Sequence, residues 1–295
     1  MTDRLRVSMP PDPNPRKPAF KAPPGACDTH CHIFGPPELF PYAPTRAYTP
    51  PAAPVEHYLD MLDAIGVERG IIVQPNAHAT DNAVTLDAVA RGGARLRGMC
   101  RLTGNETMAE MRRLHAGGVR AARFNFAESL FGRAPNLAPV EQSLPKMQEL
   151  GWCIDVHADA EGLVKYADTF RKFPVPVVID HLGHVHSKDA GGRPFRLLLD
   201  LLAEPKFWVK IAGIDWLSAQ GRPYDDVAPM ARAALEAAPD RVLWGTNWPH
   251  SMRFKPGMTP NDGDLIDFVP RFAPEPELQR KLLVDNPARL FGFAA

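Results

Sequence analysis

Two hydrophobic patterns alternate along most of the chain. Short runs rich in Val, Ile and Phe are followed by longer stretches in which apolar residues recur every three or four positions. The first pattern is typical of buried strands in a parallel sheet, and the second indicates helices that pack one face on that sheet. Eight strands are predicted, at residues 26–32, 69–74, 97–102, 121–126, 152–158, 175–181, 207–212 and 242–247.

The predicted helices fall between these strands, at residues 55–65, 82–91, 107–115, 140–150, 161–170, 195–202 and 224–237, with a closing helix at 276–283. Eight strand–helix pairs predict an α/β fold, a closed (β/α)8 TIM barrel. The alternative, an open doubly wound sheet, usually has fewer strands and no closing helix. The 295 residues suit one such domain. We assign the Pro-rich residues 1–25 to an N-terminal arm and residues 26–295 to the barrel, with a long first strand–helix loop at 41–54.

Composition and charge narrow the class of protein. The 34 Lys and Arg balance the 34 Asp and Glu, which argues against nucleic acid or an anionic membrane as the main partner. No signal peptide and no apolar run of membrane-spanning length is seen. Four scattered cysteines do not suggest a disulfide framework, so a cytoplasmic location is expected. The arm is one place through which a homo-oligomer could form.

Polar residues collect where the predicted strands end, which is where barrel enzymes carry their catalytic groups. Strand one ends in His30 and His32, whose i, i+2 spacing turns both rings to one side, toward one metal ion or one substrate oxygen. The other strand ends and the segment after strand eight supply Arg123, Asn125, His157, His181, Lys210, Asn247, Trp248 and His250. We interpret this set as a catalytic site.

Several side chains in this set have alternative roles. Arg123 has no acidic neighbour in sequence, which favours the capture of a substrate carboxylate over a structural ion pair. Lys210 faces either the barrel interior or the helices, depending on one residue of register. Asp28 and Asp180 could each orient an imidazole or pair with the barrel wall. Trp248 could line a pocket, although aromatic residues at barrel rims usually serve packing.

The strand ends resemble the amidohydrolase superfamily, and more closely its 2-pyrone-4,6-dicarboxylate lactonase branch. The resemblance rests on segments 25–36, 79–83, 118–126, 178–183 and 285–289, together with Trp-Gly-Thr-Asn-Trp-Pro-His at 244–250. It implies a hydrolase that opens a lactone ring in an anionic intermediate of aromatic degradation, such as a 2-pyrone-4,6-dicarboxylate, a muconolactone or a sulfomuconolactone. It further implies that His30, His32 and His181 contact the lactone carbonyl, that Arg123 holds a carboxylate, and that position 247 is the general base.

That base is an aspartate in the branch, whereas this chain has Asn247. A carboxamide cannot accept a proton from water at neutral pH. Three explanations are open: the chain is an engineered, inactivated variant made to trap substrate, another group such as His157 or His250 is the base, or the protein binds without turnover. We favour the first.

Two further departures concern the metal and the substrate. The lactonase branch is understood to work without a metal, yet His157 completes a set with His30, His32 and His181 that could gather one divalent ion such as zinc. The expected cofactor is thus either none or one zinc ion. Trp216 stands where the branch has a second substrate-binding arginine. Either the substrate lacks the second carboxylate, or a related lactone is bound by Arg123 and another basic residue, Arg133, Lys210 or Arg253. A metal-dependent aromatic-acid decarboxylase and a non-catalytic binder of small anionic aromatics are the alternative functions.

Overall fold

Eight parallel strands form one sheet in sequence order in the computed structural model, which describes residues 5–132 and 134–294 apart from the side chain of Phe131. They are β1 Cys27–Cys31, β2 Arg69–Val73, β3 Leu96–Cys100, β4 Val119–Asn125, β5 Cys153–His157, β6 Val177–Ile179, β7 Phe207–Ile211 and β8 Val242–Trp244. The predicted TIM barrel is confirmed.

The end of β1 and the segment after β8 bring the two edges of the sheet together. The amide of Asn247 donates to the carbonyl of His30 at 2.8 Å, and the amide of His32 donates to the carbonyl of Trp248 at 2.7 Å. These bonds satisfy backbone groups that an open sheet edge would leave unpaired. They also fix two predicted site residues, His30 and Asn247, next to each other.

Helices cover the outside of the sheet. The described ones are α1 Val55–Ile65, α2 Ala83–Gly92, α3 Met108–Ala116, α4 Glu128–Phe131, α5 Ala138–Glu149, α6 Ala160–Arg171, α7 Arg193–Leu202, α8 Ile214–Leu217, α9 Ala228–Ala237, α10 Asp262–Asp267, α11 Val269–Phe272, α12 Pro276–Arg280 and α13 Asn286–Phe291. In α1 the buried residues recur every three or four positions, as the sequence pattern requires. None of the described helices is both long and apolar enough to cross a membrane.

The largest differences from the predicted elements have local causes. The helix predicted at 224–237 begins only at Ala228, because Tyr224 has a left-handed backbone with a φ of 67°. Strand β6 ends at Ile179, two residues before His181, since residues 181–184 form a left-handed turn. The closing helix extends through a π-helical turn at Lys281–Asp285 into α13.

The barrel interior is divided into an apolar floor and a polar upper layer. The floor is formed by Cys27, Ile71, Val73, Met99, Ala121, Cys153, Val178, Trp208 and Leu243, all facing one another inside the sheet. Because side chains alternate along a strand, the next inward positions of β4, β5 and β7 are Arg123, Asp155 and Lys210. The fold therefore places ionisable groups directly above the floor.

The described part of the arm, residues 5–25, contains no helix or extended strand and lies on the barrel. The amide of Ser8 donates to the carbonyl of Thr49 in the first loop, and the amide of Met9 to the carbonyl of Arg253 after β8. Arg16 pairs with Asp264 and Asp267 of α10. The boundary at residue 25 between arm and barrel stays a prediction.

Gly245 tests the closure of the barrel. A methyl group at this position would lie 2.7 Å from the His30 amide nitrogen and 2.8 Å from its Cβ, so Gly245→Ala forces β1 and β8 apart. We expect a loss of about 1–3 kcal/mol in the free energy of unfolding, measured by urea denaturation. The control is Gly191→Ala, where a methyl group meets nothing within 4 Å. Equal stabilities of the two variants would contradict this account.

Candidate active site

Four ionised side chains meet inside the barrel above the apolar floor, and we call them the charge layer: Arg123, Asp155, Asp180 and Lys210. Lys210 Nζ lies 2.7 Å from Asp155 Oδ2 and 3.1 Å from Asp180 Oδ1. Arg123 Nη2 lies 2.7 Å from Asp180 Oδ2, and its Nε lies 3.3 Å from Asp155 Oδ1. Each cation thus bridges both carboxylates, and the four charges balance.

The mutual pairing opposes the effect of burial on these groups, although burial and the neighbouring Asp180 still raise the pKa of Asp155 to about 6. Burial alone would raise the pKa of Asp180, but the neighbouring imidazoles, Lys210 and Arg123 hold that pKa well below its ordinary value. Burial would lower the pKa of Lys210, yet the two carboxylates raise it above the ordinary value. Lys210 therefore faces the interior, which settles its register.

Arg123 is already paired, contrary to the expectation based on its sequence neighbours. Its acidic partners come from β5 and from the residue after β6, which lie beside it only in the closed sheet. The side chain is 5% exposed. Its role in capturing a substrate carboxylate stays a prediction.

His30 and His32 stand on the charge layer with their Nε2 atoms 3.3 Å apart. His32 Nδ1 donates to the carbonyl of Val73 at 2.8 Å, which leaves its Nε2 without a proton. His30 Nδ1 lies 3.1 Å from Asp180 Oδ1 and 3.3 Å from Lys210 Nζ. Donation to the carboxylate leaves the second Nε2 unprotonated as well, whereas acceptance from Lys210 places the ring proton on Nε2, toward His32. Two Nε2 atoms at this distance suit a shared proton or a metal ion.

A left-handed turn brings His181 and His184 to the same mouth. Residues His181, Leu182 and His184 all have a φ of 49°, a strained conformation that is found preferentially at functional sites. His181 Nδ1 donates to the carbonyl of Ala212 at 3.0 Å, so its Nε2 also carries a lone pair. His157 and His184 share a hydrogen bond of 2.8 Å between their Nε2 atoms.

These imidazoles are neutral at neutral pH. Burial lowers the pKa of His30, His157 and His184 well below the ordinary value, and it lowers the pKa of His32 to about 3. A neutral imidazole is the form that binds metals and accepts protons.

Two compact groups of these residues fit a divalent metal ion. One is His157, His181 and His184, and the other is His30, Asp180 and His181; within each group the ligand atoms lie within 4.8 Å of one another. Three nitrogens, or two nitrogens and a carboxylate, are typical zinc ligands. The set predicted from the sequence is divided between the groups, and His32 belongs to neither.

Asn247 lies at the same mouth as the histidines. A methyl group on Gly213 would be 3.0 Å from His181 Nδ1 and 3.3 Å from Asn247 Nδ2, so the two side chains approach one point. Asn247 has a φ of 67° and is 8% exposed. The position expected for the general base is therefore near the histidines.

The remaining predicted residues are more dispersed. Asn125 Nδ2 donates to Asn76 Oδ1 at 3.3 Å at the end of β4. Trp248 is buried and packs on Tyr58, with ring centroids 5.4 Å apart. His250 is buried, with its Nε2 3.0 Å from Asp262 Oδ1. Asp28 bonds the His30 amide, Thr246 and Tyr58, and thus pairs with the barrel wall.

Of the arginines suggested as a second anion receptor, Arg253 can be placed in the structure. Arg253 Nε donates to Asp215 Oδ2 at 2.9 Å, and its guanidinium stacks on the Trp216 ring at 4.1 Å. Its charge is therefore balanced locally. Arg133 lies outside the described residues.

Three residues at the mouth were absent from the predicted site: Asp155, His184 and Arg101. Asp155 stands two residues before His157, on the same side of β5, so alternation alone could have found it. Arg101 directly follows β3, and the rule that selected the other strand ends applies to it as well. No such signal marks His184 in the sequence, because only the left-handed turn brings this residue to the mouth of the barrel.

A family model described as Amidohydrolase matches residues 27–293. The chain belongs to this family. Among its relatives, 4-sulfomuconolactone hydrolase of Rhizobium radiobacter is 44% identical over 97% of this chain and 98% of its own length. The 2-pyrone-4,6-dicarboxylate hydrolase of Comamonas testosteroni is 40% identical, over 94% of this chain and 93% of its own length. The family predicted from the strand ends is confirmed.

Two further matches extend the comparison. D-galactarolactone isomerase of Agrobacterium fabrum is 32% identical over 100% of this chain and 98% of its own length. An apo crystal structure from Agrobacterium tumefaciens superposes with a TM-score of 0.82 at 30% identity, and the match covers 94% of this chain and 99% of that one. The amidohydrolase barrel is thus shared along nearly the whole chain.

Lys210 tests the charge layer. Lys210→Met leaves two buried carboxylates to one arginine, and we expect a loss of about 3–5 kcal/mol in the free energy of unfolding, measured with urea. Adding Asp155→Leu should restore much of that loss, since the close Arg123–Asp180 pair remains balanced. As the control, Lys165→Met breaks an exposed pair with Glu128 and should leave the free energy of unfolding almost unchanged. A double variant no more stable than Lys210→Met would refute the balance of charges.

Proposed function

We propose that this protein opens the lactone ring of a small anionic intermediate of aromatic degradation, with 4-sulfomuconolactone as the model substrate. The observation that carries the proposal is the convergence of five neutral histidines and Asn247 on one mouth of the barrel, above a self-balanced charge layer. The names of the relatives at 44% and 40% identity support the same reaction class.

The reaction that we propose is addition of water to the lactone carbonyl. The water oxygen bonds to the carbonyl carbon, the ring C–O bond breaks, and one water proton passes to the departing ring oxygen. The product is a ring-opened carboxylic acid with a hydroxyl or enol group. The protein must therefore hold the carbonyl, accept a proton and return it.

We assign proton acceptance in the chain as it stands to His181. Its Nδ1 proton is committed to the carbonyl of Ala212, so the Nε2 lone pair is available to a water molecule. Asp180 Oδ2 lies 3.6 Å from that Nε2 and would stabilise the imidazolium that forms. His30 and His32 would face the lactone carbonyl and polarise it through a proton shared between their Nε2 atoms, and Arg123 would face a substrate carboxylate.

A zinc ion held by His157, His181 and His184, or by His30, Asp180 and His181, would polarise the carbonyl and make water more acidic. We propose one such ion per chain; His181 Nε2 would then be a zinc ligand, so the role of His181 as proton acceptor applies to the chain without zinc. The cytoplasmic location and the homo-oligomer expected from the sequence remain predictions.

Isomerisation of a lactone is a second candidate, which Asn247 favours. If the base at position 247 is absent, a hydroxyl of the substrate itself could attack the carbonyl and form a new ring without activated water. The relative that is named D-galactarolactone isomerase supports this class. Hydrolysis in ¹⁸O-labelled water places the label in the product carboxylate, whereas isomerisation incorporates none.

Incubation with 4-sulfomuconolactone, muconolactone and 2-pyrone-4,6-dicarboxylate, followed by ultraviolet absorbance and proton release, tests the proposed reaction. Loss of the lactone with one equivalent of acid is the expected result. Release of carbon dioxide with the ring intact would identify a decarboxylase. Binding measured by calorimetry without any turnover, with and without added zinc, would identify a binder.

Asn247→Asp is expected to raise the rate of hydrolysis. The carboxylate supplies a proton acceptor at the position where the lactonase branch has its base, and general-base catalysis contributes about 10²–10⁴-fold. We expect kcat to rise about a hundredfold, measured by steady-state kinetics on 4-sulfomuconolactone. Asn247→Ala, which offers no acceptor, is the matched control and should show no increase. Equal and appreciable rates in the chain and in Asn247→Asp would exclude inactivation at this position.

Elemental analysis tests the zinc ion independently of activity. After dialysis without chelator, we expect about one zinc per chain and a loss of most of it in His184→Ala, because that variant removes a ligand of the three-histidine group. His57→Ala, an exposed histidine on α1, should keep its zinc. Zinc-free protein whose activity is indifferent to added zinc and to chelators would refute this part of the proposal.

A further inference from the structure

Three arginines gather at the amino-terminal end of the barrel, on the opposite side of the apolar floor from the histidines. Ile71 and Met99 belong to that floor. Since side chains alternate along a strand, the inward positions two residues earlier on β2 and β3 are Arg69 and Arg97. Neighbouring strands thus place two guanidinium groups directly below the floor.

A bulge in β4 adds the third arginine. Val119 and Ala121 are the register partners of two successive residues of β3, so Arg120 between them is an extra residue in the strand. A methyl group on Gly292 would lie 3.6 Å from Arg120 Nε, which places this side chain at the same end of the barrel. Burial lowers the pKa of Arg120, and the positive charge of the nearby Arg97 lowers it further.

Residues 292–294 lie against all three guanidinium groups. The guanidinium carbons of Arg69 and Arg97 are 5.3 and 4.7 Å from the centroid of the Phe293 ring. Arg97 Nη2 donates to the Gly292 carbonyl at 3.5 Å, and Arg69 Nη2 donates to the Ala294 carbonyl at 3.0 Å. The three side chains are therefore confined to one small region, which we call the arginine cluster.

The positive charges of the arginine cluster are not balanced by acidic side chains. In the part of the chain that the structure describes, none of the three forms an ion pair. Arg120 Nη1, for example, donates to the carbonyls of His115 and Val119 at 2.7 and 2.8 Å. Arg97 Nε is buried without a hydrogen-bond partner among the described residues. Burial and the charge of Arg69 lower the pKa of Arg97, so a nearby anion would relieve both effects.

The cations of the charge layer provide the contrast. Arg123 and Lys210 each contact two carboxylates inside the same barrel. Buried cations are usually paired in this way, because an isolated charge is costly to remove from water. A cluster of three partly buried cations without an acidic partner is therefore the pattern of a site for an anion that is not part of the described chain.

A recess of about 770 Å³ gives access to the arginine cluster from the solvent. Arg69 and Phe293 line it, together with residues that precede β1 and residues of the closing helix. Two acidic residues also line it. Asp285 is paired with Arg280, at 3.3 Å from Arg280 Nε to Asp285 Oδ1, and Glu68 is exposed. A small anion can reach the cluster here without crossing the floor.

We propose that Arg69, Arg97 and Arg120 bind a phosphate group at the amino-terminal end of the barrel. Three guanidinium groups from three strands can each contact a different oxygen of a tetrahedral anion, whereas one guanidinium already matches the two oxygens of a carboxylate. A phosphate group carries a charge of about −1.5 to −2 at neutral pH, which offsets most of the charge of the cluster. The group is that of inorganic phosphate or of a phosphate ester, and it would link β2, β3 and β4 to residues 292–294.

Calorimetric titration with inorganic phosphate, at an ionic strength held constant with sodium chloride, tests the site. We expect one phosphate per chain, and a binding constant that falls roughly ten- to hundredfold in Arg97→Met and in Arg120→Met, the range for loss of a hydrogen bond to a charged group. Arg112→Met removes an exposed arginine that pairs with Glu149 and should leave binding unchanged. Methyl phosphate decides the source: similar affinity indicates an ester, and much weaker binding indicates inorganic phosphate.

Thermal unfolding gives a second measurement that a purely structural role of these arginines would not change. Phosphate that binds the folded chain raises Tm, and this increase should be largely absent in Arg97→Met and Arg120→Met but complete in Arg112→Met. Phosphate also stabilises folded proteins in general, so the comparison between variants is the decisive one. An equal increase of Tm in all four proteins, or a titration without binding, would overturn the assignment. Either result leaves the lactonase proposal untouched, since the floor separates the two ends of the barrel.

Discussion

The site depends on the balance of charge between Arg123, Asp155, Asp180 and Lys210 inside the barrel. These groups are withdrawn from water, so any one of them alone would be too costly to keep ionised. Each cation contacts both carboxylates, which offsets that cost and leaves a layer without net charge. Each member comes from a different strand or strand end, so the layer also links four consecutive strands of the sheet. The histidines above it are therefore held by groups that cannot move independently.

The orientation of the imidazoles follows from what lies beneath and beside them. Asp180 fixes His30, while the backbone carbonyls of Val73 and Ala212 fix His32 and His181 through their Nδ1 protons. The Nε2 atoms of His32 and His181 then carry lone pairs, and so does that of His30 when its Nδ1 proton is donated to Asp180. A barrel mouth with several lone pairs and lowered pKa values is prepared to bind a cation or to accept a proton. A neutral imidazole in this tautomer cannot donate to the lactone carbonyl through Nε2, which limits the roles open to these residues.

The barrel and most of the residues at the strand ends could be predicted from the sequence, because both depend on patterns that are local in the chain. Hydrophobic periodicity located the eight strands, and the alternation of side chains placed His30, His157 and Asn247 at one mouth. The partners of Arg123 could not be found in this way, since Asp155 and Asp180 reach it only across the closed sheet. His184 reaches the mouth only through four successive residues with left-handed backbones, a conformation that hydrophobic periodicity does not predict. Arg101 was not predicted as a site residue, although the strand-end rule applies to it, because the prediction favoured histidines at the strand ends.

The charge layer offers a physical reason for asparagine rather than aspartate at position 247. The layer beneath is already neutral, so an aspartate at 247 would add an unbalanced negative charge at a site that is 8% exposed. A bound divalent cation would compensate such a charge, whereas an asparagine needs no compensation. The residue at 247 and a cation held by the histidines would thus be electrostatically coupled. It follows that the identity of residue 247 influences two properties together, the strength of metal binding and the capacity to activate water. A chain with asparagine there would give up some of both, and the lactone chemistry that we propose would then depend on His181 or on a nucleophile that the substrate brings with it.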